Sequence, residues 1–126
     1  MILIYGGAYN GKLQYVKENY DIKEEDIYYC EDSNIDFSKK VIYGLHKFTY
    51  ENSNNEKVSI DYLKENINKL QDKIIICDEI NSGIVPINKN ERIWREDTGR
   101  ALQYLSKNAN KVVRVFFGIP TVLKDE

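Results

Sequence analysis

The chain has 126 residues, 42% of them hydrophobic and 30% charged, with a formal net charge of -2 at pH 7. That length suits one domain around one core, so residues 1–126 are expected to form a single domain. The balanced charge lacks the basic excess of a nucleic-acid-binding surface, no apolar run reaches a membrane span, and Cys30 and Cys77 make neither a disulfide framework nor a zinc motif. The expectation is a cytoplasmic protein with no nucleic-acid partner and no membrane span.

Taken in chain order, Met1-Ile-Leu-Ile-Tyr5 is an apolar run stopped by Gly6-Gly7 and predicts a buried strand. Gly11 to Tyr20 predicts a helix with Leu13, Val16 and Tyr20 on one face. Asp26 to Cys30 predicts a second, weaker strand. Asp36 can cap a helix running to about Glu51, because Val41, Ile42, Leu45 and Phe48 fall at helical spacing. Asn52 to Glu56 is polar and predicts a loop. Ser59 is expected to cap the next helix, with Ile60, Leu63, Ile67 and Leu70 as its apolar stripe.

Lys73-Ile-Ile-Ile-Cys77 is the clearest strand signal, followed at once by Asp78-Glu79. Gly83 to Pro86 predicts a loop. Asn90 to Asn108 predicts a long helix with Ile93, Trp94, Thr98, Ala101, Leu102 and Leu105 turned inward. Val112 to Phe117 predicts a closing strand, Gly118-Ile119-Pro120 a turn, and Thr121 to Leu123 an added edge strand. Strands alternating with helices imply an α/β fold with a mostly parallel sheet covered on both faces.

Two motifs carry chemistry. Gly6-Gly7-Ala8-Tyr9-Asn10-Gly11-Lys12-Leu13 has Walker A spacing, with glycines five apart and then lysine, between a predicted strand and a predicted helix. Such a loop turns backbone N–H groups onto phosphate oxygens, and the helix adds its positive dipole end. Lys12 supplies a full charge near the outer phosphates. Leu13 departs from the pattern, since the hydroxyl normally found there binds magnesium. The structural alternative is a glycine-rich turn with an incidental lysine. Tyr9 can stack on a ligand ring or simply cover the turn.

Asp78-Glu79 after an apolar strand has the form of a Walker B element. One carboxylate is suited to magnesium and the other to accepting a proton. The plainer alternative is a polar strand end in solvent. Arg92, Glu96 and Arg100 fall four apart and suit an ion-pair ladder, whereas Arg95 or Arg100 suits bidentate contact with a phosphate or a substrate side chain. Gly99 inside a predicted helix points to close packing or ligand approach. Trp94 reads as core. His46, the only histidine, lies on a predicted helix and reads as a surface or partly buried residue.

The P-loop, Asp78-Glu79-Ile-Asn-Ser-Gly83-Ile-Val-Pro86, Arg92-Ile-Trp-Arg95-Glu-Asp-Thr-Gly99-Arg100, and Gly118-Ile119 near Lys124 together resemble the adenosylcobinamide kinase/adenosylcobinamide-phosphate guanylyltransferase family. The resemblance covers the first twenty residues and the chain from about Lys73 onward. It implies a RecA-like P-loop fold with a three-layer architecture, and it is compatible with a trimer. It implies phosphoryl transfer from ATP or GTP to a cobinamide alcohol, with magnesium as cofactor and a nucleotide and a corrinoid as small-molecule partners. Lys12 and Glu79 would be catalytic, Gly6 to Leu13 would bind nucleotide, Arg95 and Arg100 would bind substrate, and Asp78 and Glu79 would hold the metal. Family members also pass GMP through a histidine in a longer segment after the second strand. That segment is shortened here and His46 does not lie in it, so the guanylyl step is expected to be weak or absent. A protein that kept the fold and binds nucleotide or corrinoid without turnover is the alternative.

Overall fold

The structure, a computed structural model, describes residues 1–7, 11–80 and 88–126. Its strands are β1 (Ile2–Gly6), β2 (Ile27–Tyr29), β3 (Val41–Tyr43), β4 (Ile74–Asp78), β5 (Lys111–Phe116) and β6 (Ile119–Asp125). The helices are α1 (Lys12–Tyr20), α2 (Leu45–Asn54), α3 (Ser59–Glu65), α4 (Ile67–Leu70) and α5 (Lys89–Asn108). One six-stranded sheet runs in the order β2-β3-β4-β1-β5-β6. Every pairing is parallel except β5 with β6. This is the α/β, mostly parallel architecture expected, and it is that of a P-loop NTPase-like fold.

Strand alternation divides the interior into two layers. Leu3, Ile42, Ile75, Cys77 and Val112 pack with Leu45, Phe48, Leu63, Ala101 and Leu105 from the α2–α5 side. Ile4, Val41, Ile74, Ile76, Val113 and Val115 pack with Val16 of α1 on the opposite side. Central strands buried on both faces explain the uninterrupted apolar runs of β1 and β4. β1 sits between β4 and β5, with Gly6 opposite both Asp78 and Val115. The C-terminal ends of three parallel strands therefore converge where the loop after β1 begins.

The helix expected from Asp36 to Glu51 is replaced by a turn, a strand and a shorter helix. Val41 and Ile42 are both fully buried, one on each face of β3. Two adjacent apolar residues satisfy a helical stripe as well as a doubly buried strand, so spacing alone misassigned them. Asp36 accepts hydrogen bonds from the Ser38 N–H and hydroxyl in a local turn instead of capping a helix. Gly44 then stands before α2, which continues through Asn54 into the stretch expected to be loop. Ser59 is the first residue of α3, not its cap. Ile93, expected inward, is exposed, whereas Thr98, Ala101 and Leu105 are buried as expected. The predicted edge strand is present as β6, joined to β5 by a turn in which Phe117 and Gly118 both have positive φ, the geometry of a tight hairpin. The predicted Gly83–Pro86 loop lies outside the described residues.

Candidate functional site

The site begins where β1 hands over to α1. Gly6 belongs to the sheet, and a Cβ added to it would lie 2.0 Å from the Val115 carbonyl oxygen. No side chain fits there. Gly11 precedes α1 with φ 80, in the left-handed region where glycine carries no Cβ penalty. Lys12 opens the helix and is almost completely buried. Its ammonium lies 2.8 Å from Asp78 Oδ1 and donates to the Gly7 carbonyl at 2.6 Å. A buried ammonium needs such partners to offset its lost hydration. Leu13 packs against the α1-side core and presents no oxygen to the loop. Ala8, Tyr9 and Asn10, expected to bind nucleotide, lie outside the described residues.

Asp78 has a second partner that sequence reasoning did not assign. His46, in the first turn of α2, accepts a hydrogen bond from the Asp78 backbone N–H at its Nδ1, 3.2 Å away. Its Nε2 lies 3.4 Å from Asp78 Oδ2. An Nδ1 that accepts leaves the ring proton on Nε2, facing the carboxylate. Burial lowers the His46 pKa, outweighing the opposing pull of the Asp78 charge. The imidazole thus clasps one residue by both its backbone and its side chain. Thirty-two residues separate the pair in sequence, so no local motif could reveal it.

Glu79 turns the other way. Its backbone N–H donates to the Gly6 carbonyl at 2.6 Å, tying the end of β4 to the start of the loop. Its carboxylate receives Arg114 Nε at 3.2 Å and Nη2 at 2.9 Å. The Arg114 guanidinium also lies over the Phe116 ring, 5.0 Å from its centroid. Tyr5, opposite Arg114 in the β1–β5 register, feels both charges, and burial raises its phenol pKa. Arg114 was missed in the sequence, although a charged residue inside Val112-Val113-Arg114-Val115 was an available signal. The two neighbouring carboxylates therefore answer to different cations: Asp78 to Lys12 and Glu79 to Arg114.

Of the arginines expected to bind substrate, Arg95 lies near these residues, its Nε donating to the Ile80 carbonyl at 3.0 Å. Arg100 is exposed and lines a separate cleft with Ser53, Lys57, Val58 and Glu96. It is not brought to Lys12 and Asp78. Among the described residues no ion pair joins Arg92, Glu96 and Arg100, and no group of three acidic, histidine or cysteine side chains could hold a metal ion. Asp78 and Glu79 are oxygen donors of the kind magnesium takes, one or two at a time alongside water and phosphate oxygens.

A buried polar seam fixes the helix that carries His46. Asp97 of α5 accepts from the Ser59 N–H at 2.9 Å and from the Ser59 hydroxyl, capping α3 from a distance. Asn52 donates to the same hydroxyl at 3.0 Å. Thr49 and Thr98 share a hydrogen bond at 2.7 Å, and the Trp94 indole donates to the His46 carbonyl at 3.0 Å. Trp94 was expected to be core. It is half-buried, and its N–H anchors the first turn of α2.

A family model described as "Cobinamide kinase / cobinamide phosphate guanyltransferase" matches residues 39–123, more than half of the chain, spanning β3 to β6. No curated protein matches the sequence.

Proposed function

The chain belongs to the cobinamide kinase / cobinamide phosphate guanyltransferase family of cobalamin biosynthesis, and from that premise we propose that it transfers a phosphoryl group from ATP or GTP to the hydroxyl of a cobinamide. The observation that carries this reading is the 2.8 Å contact between Lys12, at the N-terminus of α1, and Asp78, at the end of β4. An ammonium held by one carboxylate can exchange it for the more highly charged outer phosphates. Backbone N–H groups at the start of α1 add to that attraction. Phosphoryl transfer asks little covalent chemistry of a protein, so positioning and charge are what this site must supply.

In this reading Asp78, oriented by His46, is the principal oxygen ligand available to magnesium. When bound, magnesium would neutralise charge on the outer phosphates. Glu79 accepts the proton of the attacking hydroxyl, and Arg114 orients its carboxylate. Arg95 steadies the backbone just beyond Glu79 through the Ile80 carbonyl and, in this reading, contacts the acceptor substrate. Leucine at position 13 supplies no hydroxyl for the metal, which would leave Asp78 as its protein ligand.

The guanylyl step is proposed to be weak or absent. A histidine nucleophile needs a ring nitrogen with an accessible lone pair. Here Nδ1 accepts from Asp78 and the Nε2 proton faces the Asp78 carboxylate. Only residues 30–40 link β2 to β3, and no histidine lies among them. A coupled assay with cobinamide, magnesium and either nucleotide tests the kinase; no turnover at high protein concentration overturns it. Incubation with α-labelled GTP tests the second statement: a covalent label that disappears in His46→Ala contradicts it. Leu13 favours one other reading, a protein that binds nucleotide without turnover. Calorimetric binding in the absence of product is its signature.

A further inference from the structure

A cleft of about 500 Å³ runs along α5 on the face of the sheet away from α1, lined by Leu3, Tyr5, Leu102, Gln103, Ser106 and Lys107. That volume falls within the range of about 300–1,000 Å³ usual for small-molecule sites. At its foot Lys124 of β6 donates to the Ser106 and Lys107 carbonyls at 3.1 Å each. At its head stands Tyr5, opposite Arg114 in the β1–β5 register. Arg114 in turn holds Glu79. The cleft therefore leads to the carboxylate assigned above to the attacking hydroxyl.

Two features that the phosphate chemistry leaves unexplained fall beside this cleft. Arg95, Gly99, Leu102 and Ser106 recur at helical spacing and form one half-buried stripe of α5. Glycine in a helix costs about 1 kcal/mol relative to alanine. Here it leaves the stripe without a side chain between Leu102 and Arg95, which bonds the Ile80 carbonyl at the Glu79 end. On the hairpin, Phe116 and Ile119 pair across β5 and β6 and are 41% and 67% exposed. Alternation from buried Val112 through Arg114 puts Phe116 on the α5 face of the sheet, and Ile119 with it. Paired apolar side chains left in water beside a cleft are the pattern of a surface that a ligand covers.

We propose that this groove holds the acceptor, with amide side chains of the corrin rim in the cleft and an apolar edge of the ring against Phe116 and Ile119. The inference rests on the kinase reading above and adds to it the residues that select the acceptor. A cobinamide carries its hydroxyl on an amide-linked arm and surrounds its ring with neutral primary amides. The cleft answers with groups that bond amides. The Gln103 amide and the Tyr5 and Ser106 hydroxyls each donate and accept, and the Lys107 ammonium donates to a carbonyl. None of these lining residues is a carboxylate. A ligand bonded at Gln103 and Ser106, with its arm directed past Gly99, presents the hydroxyl to Glu79.

The test measures binding of cobinamide and of magnesium tripolyphosphate, singly and together, to the full chain, to Gln103→Ala and to Ser106→Tyr by calorimetry. Gln103 is exposed and Ser106 faces the cleft, so both substitutions should leave folding intact. Gln103→Ala should weaken cobinamide binding about three- to tenfold, the value of one lost hydrogen-bonding group. Ser106→Tyr fills the cleft and should weaken it by about tenfold or more, with tripolyphosphate affinity unchanged in both variants. In turnover, both should raise KM for cobinamide and leave KM for the nucleotide unchanged, whereas a merely structural role would move the two together. If Ser106→Tyr fails to fold, Gln103→Ala decides alone. Cobinamide affinity untouched by the substitutions overturns the groove, while turnover by wild type keeps the kinase reading. Binding of tripolyphosphate with no binding of cobinamide, alone or together, overturns the acceptor reading and the groove with it.

Discussion

Asp78 and Glu79 are adjacent in sequence and live in different surroundings. Asp78 sits among buried groups, with Lys12 on one oxygen and His46 on the other oxygen and on its backbone. Glu79 meets an arginine that is 40% exposed and has aromatic rings beside it. The cause is the pleat: Asp78 continues the face of Ile74 and Ile76 toward α1, and the next residue turns toward the face of Tyr5 and Arg114. A two-residue acidic motif therefore need not be a two-carboxylate metal site. Its members can answer to different cations, Asp78 to Lys12 and Glu79 to Arg114.

The sharpest way to break that division is Lys12→Ala. It removes the charge the Asp78 side depends on, and kinase turnover should fall about 10²–10³-fold, as when a transition-state donor is lost. A coupled assay showing only a few-fold loss would refute the catalytic role of the loop. Next in size is Asp97→Ala. It leaves the Ser59 N–H and hydroxyl without their acceptor and should cost about 1–3 kcal/mol in urea unfolding. Because the same seam seats α2, the variant also asks whether the orientation of Asp78 depends on α5. Asp97→Asn, which keeps one acceptor, should recover some of the loss.

Arg114→Ala addresses the other carboxylate. Glu79 stays in place but loses its orienting partner, so kcat should fall about tenfold, a fraction of the about 10²–10⁴-fold that general-base catalysis contributes. The pair is partly exposed, so stability should change by less than about 1 kcal/mol. A large loss of stability with unchanged kcat would make the pair structural. The smallest effect is a pH dependence. Burial holds the His46 pKa below its ordinary 6.5 in the folded protein. The unfolded chain then binds the extra proton first as pH drops, so this contribution to stability is present above about pH 6.5 and is lost as pH falls through the folded value. Unfolding free energies of wild type and His46→Gln, compared from about pH 7.5 to about pH 5, should show the wild type losing the extra stability and the variant lacking that slope.

The sequence made some of this legible because the signals were local. β1, β4, α1 and α5 are long, periodic or punctuated by glycine, and their order is enough to require a parallel sheet. Lys12 and Asp78 carry motif spacing. β3 was hidden because Val41-Ile42 is too short to show a period, and once buried on both faces it has no polar side to betray it. His46 and Arg114 were hidden for another reason. Their roles come from partners 32 and 35 residues away, and register, not composition, brings them together. Asp97 belongs to the same class, because its work as the cap of α3 spans 38 residues.

Gly6 bears on how experiments on this protein are designed. Its hydrogen atoms face a carbonyl of β5, and an alanine there would drive a methyl group to 2.0 Å from that oxygen. A Gly6→Ala protein must push β1 and β5 apart at the centre of the sheet to exist at all. Loss of activity in that variant would report damage to the sheet and carry no information about phosphate, although the residue stands first in the motif. Lys12, whose ammonium can be removed without touching the strand spacing, is the position at which mutagenesis tests the proposed phosphate role.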